Sequence, residues 1–500
     1  MRILYLSTLL LSFAQVYSQK PQSLPQTINS LLTSEFNPSL SANGRVMVLQ
    51  APVGNFDEGG VAISYQRAGT WSRPEQVPGI TAAGEKVFNG AASLSHDANY
   101  IFFSSNRRGG IGGQDIWFVE KRGTSWTLPK NLGKPINSEK IETDPSLSAD
   151  GKTLYFTRLT GAKGSKGESC GKIFYAERMG VDGWSEPKEM PAPINSGCEC
   201  NASILADNAT LTFASNRAGG KGHFDQYMTK YVNGKWGSPV ALELINTPQE
   251  DKYISIPASG DYVYHSIAAG KGTDVARTKL PDHTKPLKTL LIQGNISSSS
   301  KLSLFSVNKN KFVTVSPNSS SYFFILPEKE TYELTFAPNS KGSAYQHLYI
   351  NLDTLKKFKE LKYDINAVRL KPGVVLNLNN TKVNEDFTID PKSNNELNNL
   401  VKLLKDNPTI KIEIVNYPVK GQDVTNNIPA DSTGGSNTTI LENERTGKVS
   451  ETIKKFLVSK GIIENRILAK GMDVPKTKTA ADSMFVNDAA DIIEVKIVSE

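Results

Sequence analysis

The sequence is poor in the residues from which many catalytic and metal sites are built. Its 500 residues include five histidines, which are scattered along the chain, and three cysteines. So few and so scattered histidines argue against a catalytic site built from a histidine cluster. Lys and Arg exceed Asp and Glu by 57 to 50, but this surplus of +7 forms no dense basic tract, which argues against nucleic-acid binding.

Long hydrophobic runs are also lacking after the first residues. Arg2, an apolar run over 3–13 and small residues at Ala14 and Ser18 are typical of a secretory signal peptide, which we place at 1–18. The apolar run is too short to span a bilayer, and the rest of the chain has none that is long enough. We therefore expect an exported protein that is soluble or peripheral to a membrane.

The three cysteines lie close together in the sequence, at Cys170, Cys198 and Cys200. In an exported protein this predicts one disulfide and one free thiol, with the pairing open. A metal site would need four ligands, and the only nearby histidine is His223, so a disulfide is favoured over a metal site. We expect no metal and no other cofactor.

The first half of the chain is built from an internal repeat. Five segments align, at 37–49, 91–103, 144–156, 201–213 and 253–265. Their equivalent residues, Leu40, Leu94, Leu147, Ile204 and Ile256, are 54, 53, 57 and 52 positions apart. A Trp-containing turn recurs later in four of the units, at 69–74, 123–129, 182–187 and 234–239.

Each repeat unit predicts four short antiparallel strands, joined in part by Asp-Gly hairpin turns. Blades of this size repeated about five times predict a β-propeller over 20–285, with a sixth blade as the alternative. The fifth unit lacks the Trp-containing turn, so we expect ring closure to borrow a strand from 20–36. The units resemble TolB-type, WD-like propeller repeats of bacterial envelope proteins, a resemblance that implies a fold and little about function.

One loop of the repeat, SSNRRGGIGGQDIW at 104–117, has the composition of a phosphate-binding loop. An equivalent loop at 214–227 also opens a strand instead of a helix, which favours a structural role. In that role the arginines bond local carbonyls or carboxylates, including the aspartate that ends the loop. The alternative is that Arg107, Arg108 and Arg217 face a partner protein.

The segment 286–370 has a different character, with alternating strands and polar turns. It predicts a small β-sandwich. The G-x-I sequence near Gly294 and the two strands within 322–336 resemble carboxypeptidase-regulatory-like, transthyretin-type modules. That resemblance implies a spacer without an active site, although 297–300 replaces the usual glycine-rich first turn.

The remainder, 371–500, has a β-α-β-α-β pattern that predicts an α/β sandwich. The predicted strands are 374–379, 410–417 and 491–498, and the predicted helices are 395–404 and 445–460. The motifs L-x-x-L-x-x-L-L-K-D-N-P, K-x-x-L-V-S-K-G-I and N-R-I-L-A-K-G closely resemble those of OmpA-like peptidoglycan-binding domains. This resemblance implies that an aspartate and an arginine hold the ammonium and carboxylate of diaminopimelate.

The residues that the OmpA-like family uses for this ligand are largely missing. Asn416 to Val419 replace the family's G-H-T-D, and its N-R-R motif falls on 490–492 and is absent. Arg445 is retained, and Asp423 or Asp431 in a polar insert are candidate substitutes for the lost aspartate. We favour a domain that keeps the fold without the original ligand site over true peptidoglycan binding.

The order of signal peptide, propeller, β-sandwich and OmpA-like domain resembles envelope proteins of the Bacteroidetes type. Some of these tether secretion or gliding machinery to the cell wall. The resemblance implies a periplasmic, non-enzymatic scaffold near the outer membrane, with a protein-binding propeller and a C-terminal domain docked on the wall or on another protein. The alternatives are a genuine peptidoglycan anchor and a sugar-binding or enzymatic propeller, for which no acid/base pair stands out.

Overall fold

The computed structural model describes residues 20–500 except 31–32, 54–55, 81–86, 165–166, 168, 181–182, 271, 340–341, 419–435, 475 and 477–490. The predicted signal peptide, Asp423 and Asp431 lie outside the described residues. The chain divides into two compact units, one up to Leu287 and one from Lys288 onward. No helix in the described part combines the length and apolar character needed to cross a bilayer.

The first unit is a propeller of five antiparallel sheets, as predicted. A short strand, Gln22–Ser23 (β1), comes first. Blade 1 has Phe36–Leu40, Val46–Val53, Phe56–Arg67, Thr70–Trp71 and Glu75–Gln76 (β2–β6). Blade 2 has Asn89–Leu94, Tyr100–Ser105, Asp115–Arg122, Ser125–Trp126 and Lys130–Asn131 (β7–β11). Blade 3 has Glu142–Leu147, Thr153–Lys163, Ser169–Met179, Gly183–Trp184 and Lys188–Glu189 (β12–β16). Blade 4 has Glu199–Ile204, Thr210–Ser215, Asp225–Val232, Lys235–Trp236 and Val240–Ala241 (β17–β21), and blade 5 has Tyr262–Ala269 and Gly272–Lys279 (β22, β23).

The outer strand of each complete blade differs from the sequence prediction because it is divided into two short pieces. In blade 2 both β10 and β11 pair with β9, and Pro129 lies between them. Proline has no N–H to donate, so it interrupts a strand's hydrogen-bond ladder. The equivalent prolines of the other three complete blades are Pro74, Pro187 and Pro239.

The inner strands share a backbone feature that the sequence alignment does not reveal. Each blade has a non-glycine residue in the left-handed region at the same repeat position: Asn37, Ala91, Asp144, Asn201 and Tyr253, with φ values of 54°, 47°, 53°, 53° and 57°. In the first four blades a β-bulge follows between the inner strand and its neighbour. Such bulges bend a strand, and here they occur around the axis of the ring.

A serine two positions later links the inner strands of blades 1, 3 and 5 to the next blade. Ser39 Oγ accepts a hydrogen bond from the backbone N–H of Leu94 at 2.9 Å, so that blade 1 is joined to blade 2. Ser146 Oγ joins blades 3 and 4 in the same way. Ser255 Oγ accepts from the N–H of Leu40 at 2.9 Å, and this bond joins blade 5 back to blade 1. The ring is therefore closed at its axis.

The ring is also closed at its outer edge. The N-terminal segment, from which the sequence predicted a closing strand, does this. β1 pairs with β23 and supplies the missing outer strand of blade 5. Asn29 then bonds both backbone groups of Val275, accepting from its N–H at 2.9 Å and donating to its carbonyl at 3.0 Å. Asn137 bonds Ile116 in the same two-fold way between blades 2 and 3. Ile28-Asn29 thus has the same role at the ring closure as Ile136-Asn137 has between blades 2 and 3.

In the second unit, residues 288–370 form the predicted sandwich from one long, bent hairpin. The strands are Thr289–Ser306, Lys311–Pro327, Thr331–Pro338, Gln346–Asn351 and Lys359–Lys362 (β24–β28), in the sheet order β25-β24-β26-β27, with β28 parallel to β24. The pairing of β24 with β25 shifts after Asn295. Leu290 and Ile292 from one half of β24 share a core with Leu302 and Leu304 from the other. The two layers are therefore two halves of the same sheet.

The C-terminal domain is an α/β sandwich, as predicted. Its elements are Val375–Leu378 (β29), Asn394–Asp406 (α1), Lys411–Tyr417 (β30), Ser436–Ser459 (α2), Ile467–Gly471 (β31) and Ile492–Ser499 (β32). The sheet order is β29-β32-β30-β31. Two details differ from the prediction. The segment at 467–471 forms an additional strand parallel to β30, and α2 begins at Ser436, within the polar insert, where no apolar periodicity marked a helix.

We predict that Asn29 contributes as much to the propeller as its internal equivalent. Asn29→Ala leaves the N–H and carbonyl of buried Val275 without partners, which costs about 2–4 kcal/mol. Urea unfolding followed by tryptophan fluorescence measures this loss, because all five tryptophans lie in the first unit. Asn137→Ala is the matched variant and should lose a similar amount. An Asn29→Ala protein as stable as wild type would show that the N-terminal segment does not close the ring.

Candidate functional site

One arginine of each glycine-rich loop, Arg107 or Arg217, points into the propeller. The Arg107 guanidinium donates to the carbonyl oxygen of Ile80 at 2.6 Å and to Oδ1 of Asn89 at 2.6 Å, and it lies 4.8 Å from the centre of the Phe103 ring. Burial lowers the pKa of Arg107 to about 10. The side chain therefore holds the connection from blade 1 to blade 2.

Two further arginines make the same bond in the next blades. Arg217 donates to the carbonyl of Ile194 at 2.7 Å, and Arg158 donates to the carbonyl of Ile136 at 3.0 Å. Ile80, Ile136 and Ile194 occupy equivalent positions in the blade connections, and all are fully buried. Arg158 lies on the strand β13 and not in a glycine-rich loop, so sequence comparison missed it.

The aspartate that ends each loop has a different role from the one expected. Asp115 accepts hydrogen bonds from the backbone N–H groups of Ile111 and Gly112 at 2.6 and 3.0 Å and does not bond Arg107. It holds the glycine-rich turn in shape, because carboxylates accept readily from consecutive N–H groups. Arg108 is exposed. That Arg107, Arg108 and Arg217 meet a partner protein stays a prediction.

The axis of the propeller holds a cavity of about 60 Å³. This is well below the roughly 300 Å³ at which pockets for small organic ligands begin. His96 belongs to blade 2, and its Nε2 lies 3.1 Å from the carbonyl oxygen of Ile204 in blade 4. The imidazole of His96 therefore spans the axis of the propeller. Desolvation lowers the pKa of His96 and keeps the imidazole neutral. At the equivalent position the other blades have alanine: Ala42, Ala149, Ala206 and Ala258.

The cavity lining has one carboxylate, Asp144, among its described residues. Asp144 Oδ2 accepts from the N–H of Asn201 at 3.1 Å, and burial raises the pKa of Asp144. Glycoside hydrolysis generally needs two carboxyl groups that flank the scissile bond. The described lining does not present such a pair.

The cysteines form a structural pair. Cys170 on β14 is bonded to Cys198, 28 residues later, which crosslinks blade 3 to the start of blade 4. Cys200 is free, and burial raises the pKa of its thiol, so it is a poor nucleophile. No group of three or more His, Cys, Asp or Glu side chains in the described chain is placed to hold a metal ion.

In the C-terminal domain Arg445 has an internal partner. Its Nη1 and Nη2 atoms each lie 3.3 Å from Oδ1 of Asp491, just before β32. Asp491 Oδ2 also accepts from the backbone N–H of Val383 at 2.9 Å. The Arg445 side chain is 44% exposed and that of Asp491 is 9% exposed. Asp491 stands where the family motif N-R-R is missing, and only the structure shows that it neutralises the retained arginine.

The residues that replace the family's G-H-T-D are packed into the domain. Asn416 is fully buried, and its side-chain amide has no hydrogen-bond partner within the described part of the chain. The Tyr417 hydroxyl donates to Glu494 at 3.1 Å, and the Lys476 ammonium lies 4.1 Å from the centre of the Tyr417 ring. Val419 lies outside the described residues. Neither Asn416 nor Tyr417 carries a carboxylate that could bind an ammonium group.

We predict that the two arginines of one loop differ sharply in their effect on stability. Arg107→Ala removes charge-assisted hydrogen bonds to Ile80 and Asn89 and should cost about 2–3 kcal/mol in urea unfolding. Arg108→Ala, at the exposed neighbouring position, should change the free energy of unfolding by less than about 0.5 kcal/mol. Equal losses in both variants would contradict the assignment of Arg107 to the blade connection.

No family model matches the chain, and no curated relative matches it. Among solved structures the first unit is similar to TolB from Acinetobacter baumannii, with 13% identity over 49% of this chain and 52% of that one and a TM-score of 0.33, so the chain spans about half the length of TolB. It is also similar to an α-L-arabinofuranosidase from Lactobacillus brevis, with 14% identity over 52% of this chain and 95% of that one and a TM-score of 0.33. The C-terminal domain is similar to the OmpA-like domain of FopA1 from Francisella tularensis, with 16% identity over 26% of this chain and 86% of that one and a TM-score of 0.18. These values are too low to transfer a function.

Proposed function

We propose that this protein is a non-enzymatic scaffold of the bacterial cell envelope that docks through protein contacts. The observation that carries the proposal is the pairing of Arg445 with Asp491 at the position of the lost ligand site. A carboxylate ligand would have to displace Asp491, which is nearly buried and is also bonded to Val383. An uncompensated buried carboxylate is costly, so the internal pair is favoured over an external ligand.

The propeller supports a protein-binding role through the edge of blade 4. The second outer piece of each complete blade begins with an exposed residue, which is Glu75, Lys130 or Lys188 in the first three blades. In blade 4 this residue is Val240, and its side chain is 60% exposed. Tyr231 of the same blade is 45% exposed. Exposed apolar side chains at an otherwise charged position favour contact with another protein.

The periplasmic location and the link to secretion or gliding machinery belong to the same proposal. They rest on the order of a signal peptide, a propeller, a spacer and an OmpA-like domain. A peptidoglycan anchor is the second candidate, and the partial exposure of Arg445 favours it. An enzymatic or sugar-binding propeller is the third. The small axial cavity, whose described lining has one carboxylate, argues against it.

We predict that the full exported chain does not sediment with purified peptidoglycan sacculi. Asp491→Asn removes the negative charge that neutralises Arg445 while it keeps an oxygen acceptor for the N–H of Val383. This variant should bind sacculi more than wild type does, because it frees a cation that suits a carboxylate. The bound and unbound fractions are measured by centrifugation.

The control for this experiment is Arg445→Ala. Sedimentation of the wild type that Arg445→Ala abolishes would overturn the proposal in favour of a peptidoglycan anchor. Sedimentation that is the same in all three proteins would point to adsorption through other surfaces.

We predict that blade 4 contacts an envelope protein in cells. A photo-crosslinking residue placed at Val240 in the full chain should give a discrete adduct, which mass spectrometry identifies. The matched control is the same residue placed at Lys130, the equivalent exposed position of blade 2. Adducts at neither site, or at both equally, would contradict docking through the edge of blade 4.

A further inference from the structure

The second unit contains a buried group of charges between its two modules. Glu333 on β26 and His347 on β27 belong to the sandwich, and Glu396 on α1 belongs to the C-terminal domain. Their side chains are 0%, 9% and 3% exposed. His347 Nε2 lies 3.8 Å from Oε1 of Glu333 and 3.8 Å from Oε1 of Glu396. The imidazole therefore lies between two buried carboxyl groups.

Glu396 is held rigidly by its own domain. Its Oε1 accepts from the backbone N–H of Asn379 at 2.6 Å, and its Oε2 accepts from the N–H of Asn380 at 3.0 Å and from the hydroxyl of Thr381 at 2.7 Å. These three donors fix the carboxyl group at the end of β29. Burial nevertheless raises the pKa of Glu396, with the nearby charge of Glu333 acting in the same direction.

Glu333 connects the two modules directly. Its Oε1 accepts from the side-chain amide of Asn380 and its Oε2 from that of Asn395, both in the C-terminal domain. The two carboxyl groups thus face the same histidine from opposite modules. Two buried carboxylates without a cation are strongly disfavoured.

The hydrogen-bond geometry of His347 indicates where a proton belongs. Its Nδ1 lies 3.0 Å from Oγ1 of Thr335, and its Nε2 is buried without a hydrogen-bond partner. A neutral ring with its hydrogen on Nδ1 would turn the Nε2 lone pair toward two carboxyl oxygens, which is repulsive. A neutral ring with its hydrogen on Nε2, whose Nδ1 accepts from the Thr335 hydroxyl, and an imidazolium both direct an N–H between the carboxyl groups. The two buried carboxyl groups on either side favour the imidazolium.

The surroundings supply no other positive charge. A cavity of about 250 Å³ adjoins the group, and its titratable lining residues in the described chain are His347, Glu396, Tyr345 and Tyr363. The strand β29 brings only uncharged residues to it. Tyr345 bonds the carboxylate of Asp406, which is also paired with Lys402. Among the described lining residues, a proton on the group itself is therefore what can balance the charge of the two carboxylates.

We propose that Glu333, His347 and Glu396 form a proton-dependent latch between the sandwich and the C-terminal domain, in which the closed contact holds one proton more than the separated modules. Stability of a state that binds the extra proton decreases as the pH rises, by up to about tenfold per pH unit in the opening equilibrium. The latch is therefore closed at acidic pH and loosens toward alkaline pH. This inference does not depend on the proposed scaffold function.

Amide hydrogen exchange of the full chain between about pH 5 and pH 8 tests the latch. After correction for intrinsic exchange rates, the opening equilibrium of 344–350 and 378–382 should be nearly flat below about pH 6.5, where a separated imidazole also holds its proton, and should rise above it with a slope approaching tenfold per unit. His347→Gln should remove the slope. His283→Gln, at an exposed histidine, should keep it. A flat wild-type profile, or a slope that persists in His347→Gln, would overturn the latch.

A second measurement uses the wild-type protein, so it does not depend on whether a variant folds. ¹⁵N NMR of the histidine rings should show both nitrogens of His347 protonated at a pH at which exposed His283 is already neutral. If the two rings lose their protons together, or if His347 loses its proton first, the closed contact holds no extra proton and the proposal is wrong.

Discussion

Closure of the propeller ring is the constraint on which the first unit depends. Each inner strand has a left-handed residue, and in blades 1, 3 and 5 a serine two positions later binds the next blade. The last blade has only two strands of its own and takes its outer strand from the N-terminus. Ser255 at the axis and Asn29 at the outer edge join blade 5 to the N-terminal part of the chain. Packing around the ring thus protects edges that would be exposed in a single blade.

Several charged side chains that were candidates for a functional role stabilise the fold instead. Arg107, Arg158 and Arg217 hold equivalent isoleucine carbonyls, and their desolvated guanidinium groups lie against aromatic rings. Asp115 holds a turn, and His96 occupies the axis as a neutral ring. With these groups occupied, the parts left for recognition are exposed side chains, among them the apolar Val240 and Tyr231 of blade 4.

In the C-terminal domain the candidate ligand residues are occupied within the fold. Arg445 is paired with Asp491, and Asn416 and Tyr417 pack inward. Charge instead accumulates on the other side of β29, where Glu396 meets His347 and Glu333 of the sandwich. These two modules are therefore joined by a polar contact, which responds to protons in a way that an apolar contact would not.

The sequence by itself determined the blade repeat, the borrowed closing strand, the α/β order of the last domain and the absence of the G-H-T-D and N-R-R motifs from it. These features follow from local periodicity, turn chemistry and residues that are absent at fixed motif positions. Only the tertiary structure decided that Cys170 pairs with Cys198, that Asp491 neutralises Arg445 and that His347 lies between two carboxyl groups. Partners such as Asn29 and Val275 are 246 positions apart. Local sequence patterns set the conformation of a segment, whereas the choice of a distant partner depends on how the whole chain packs.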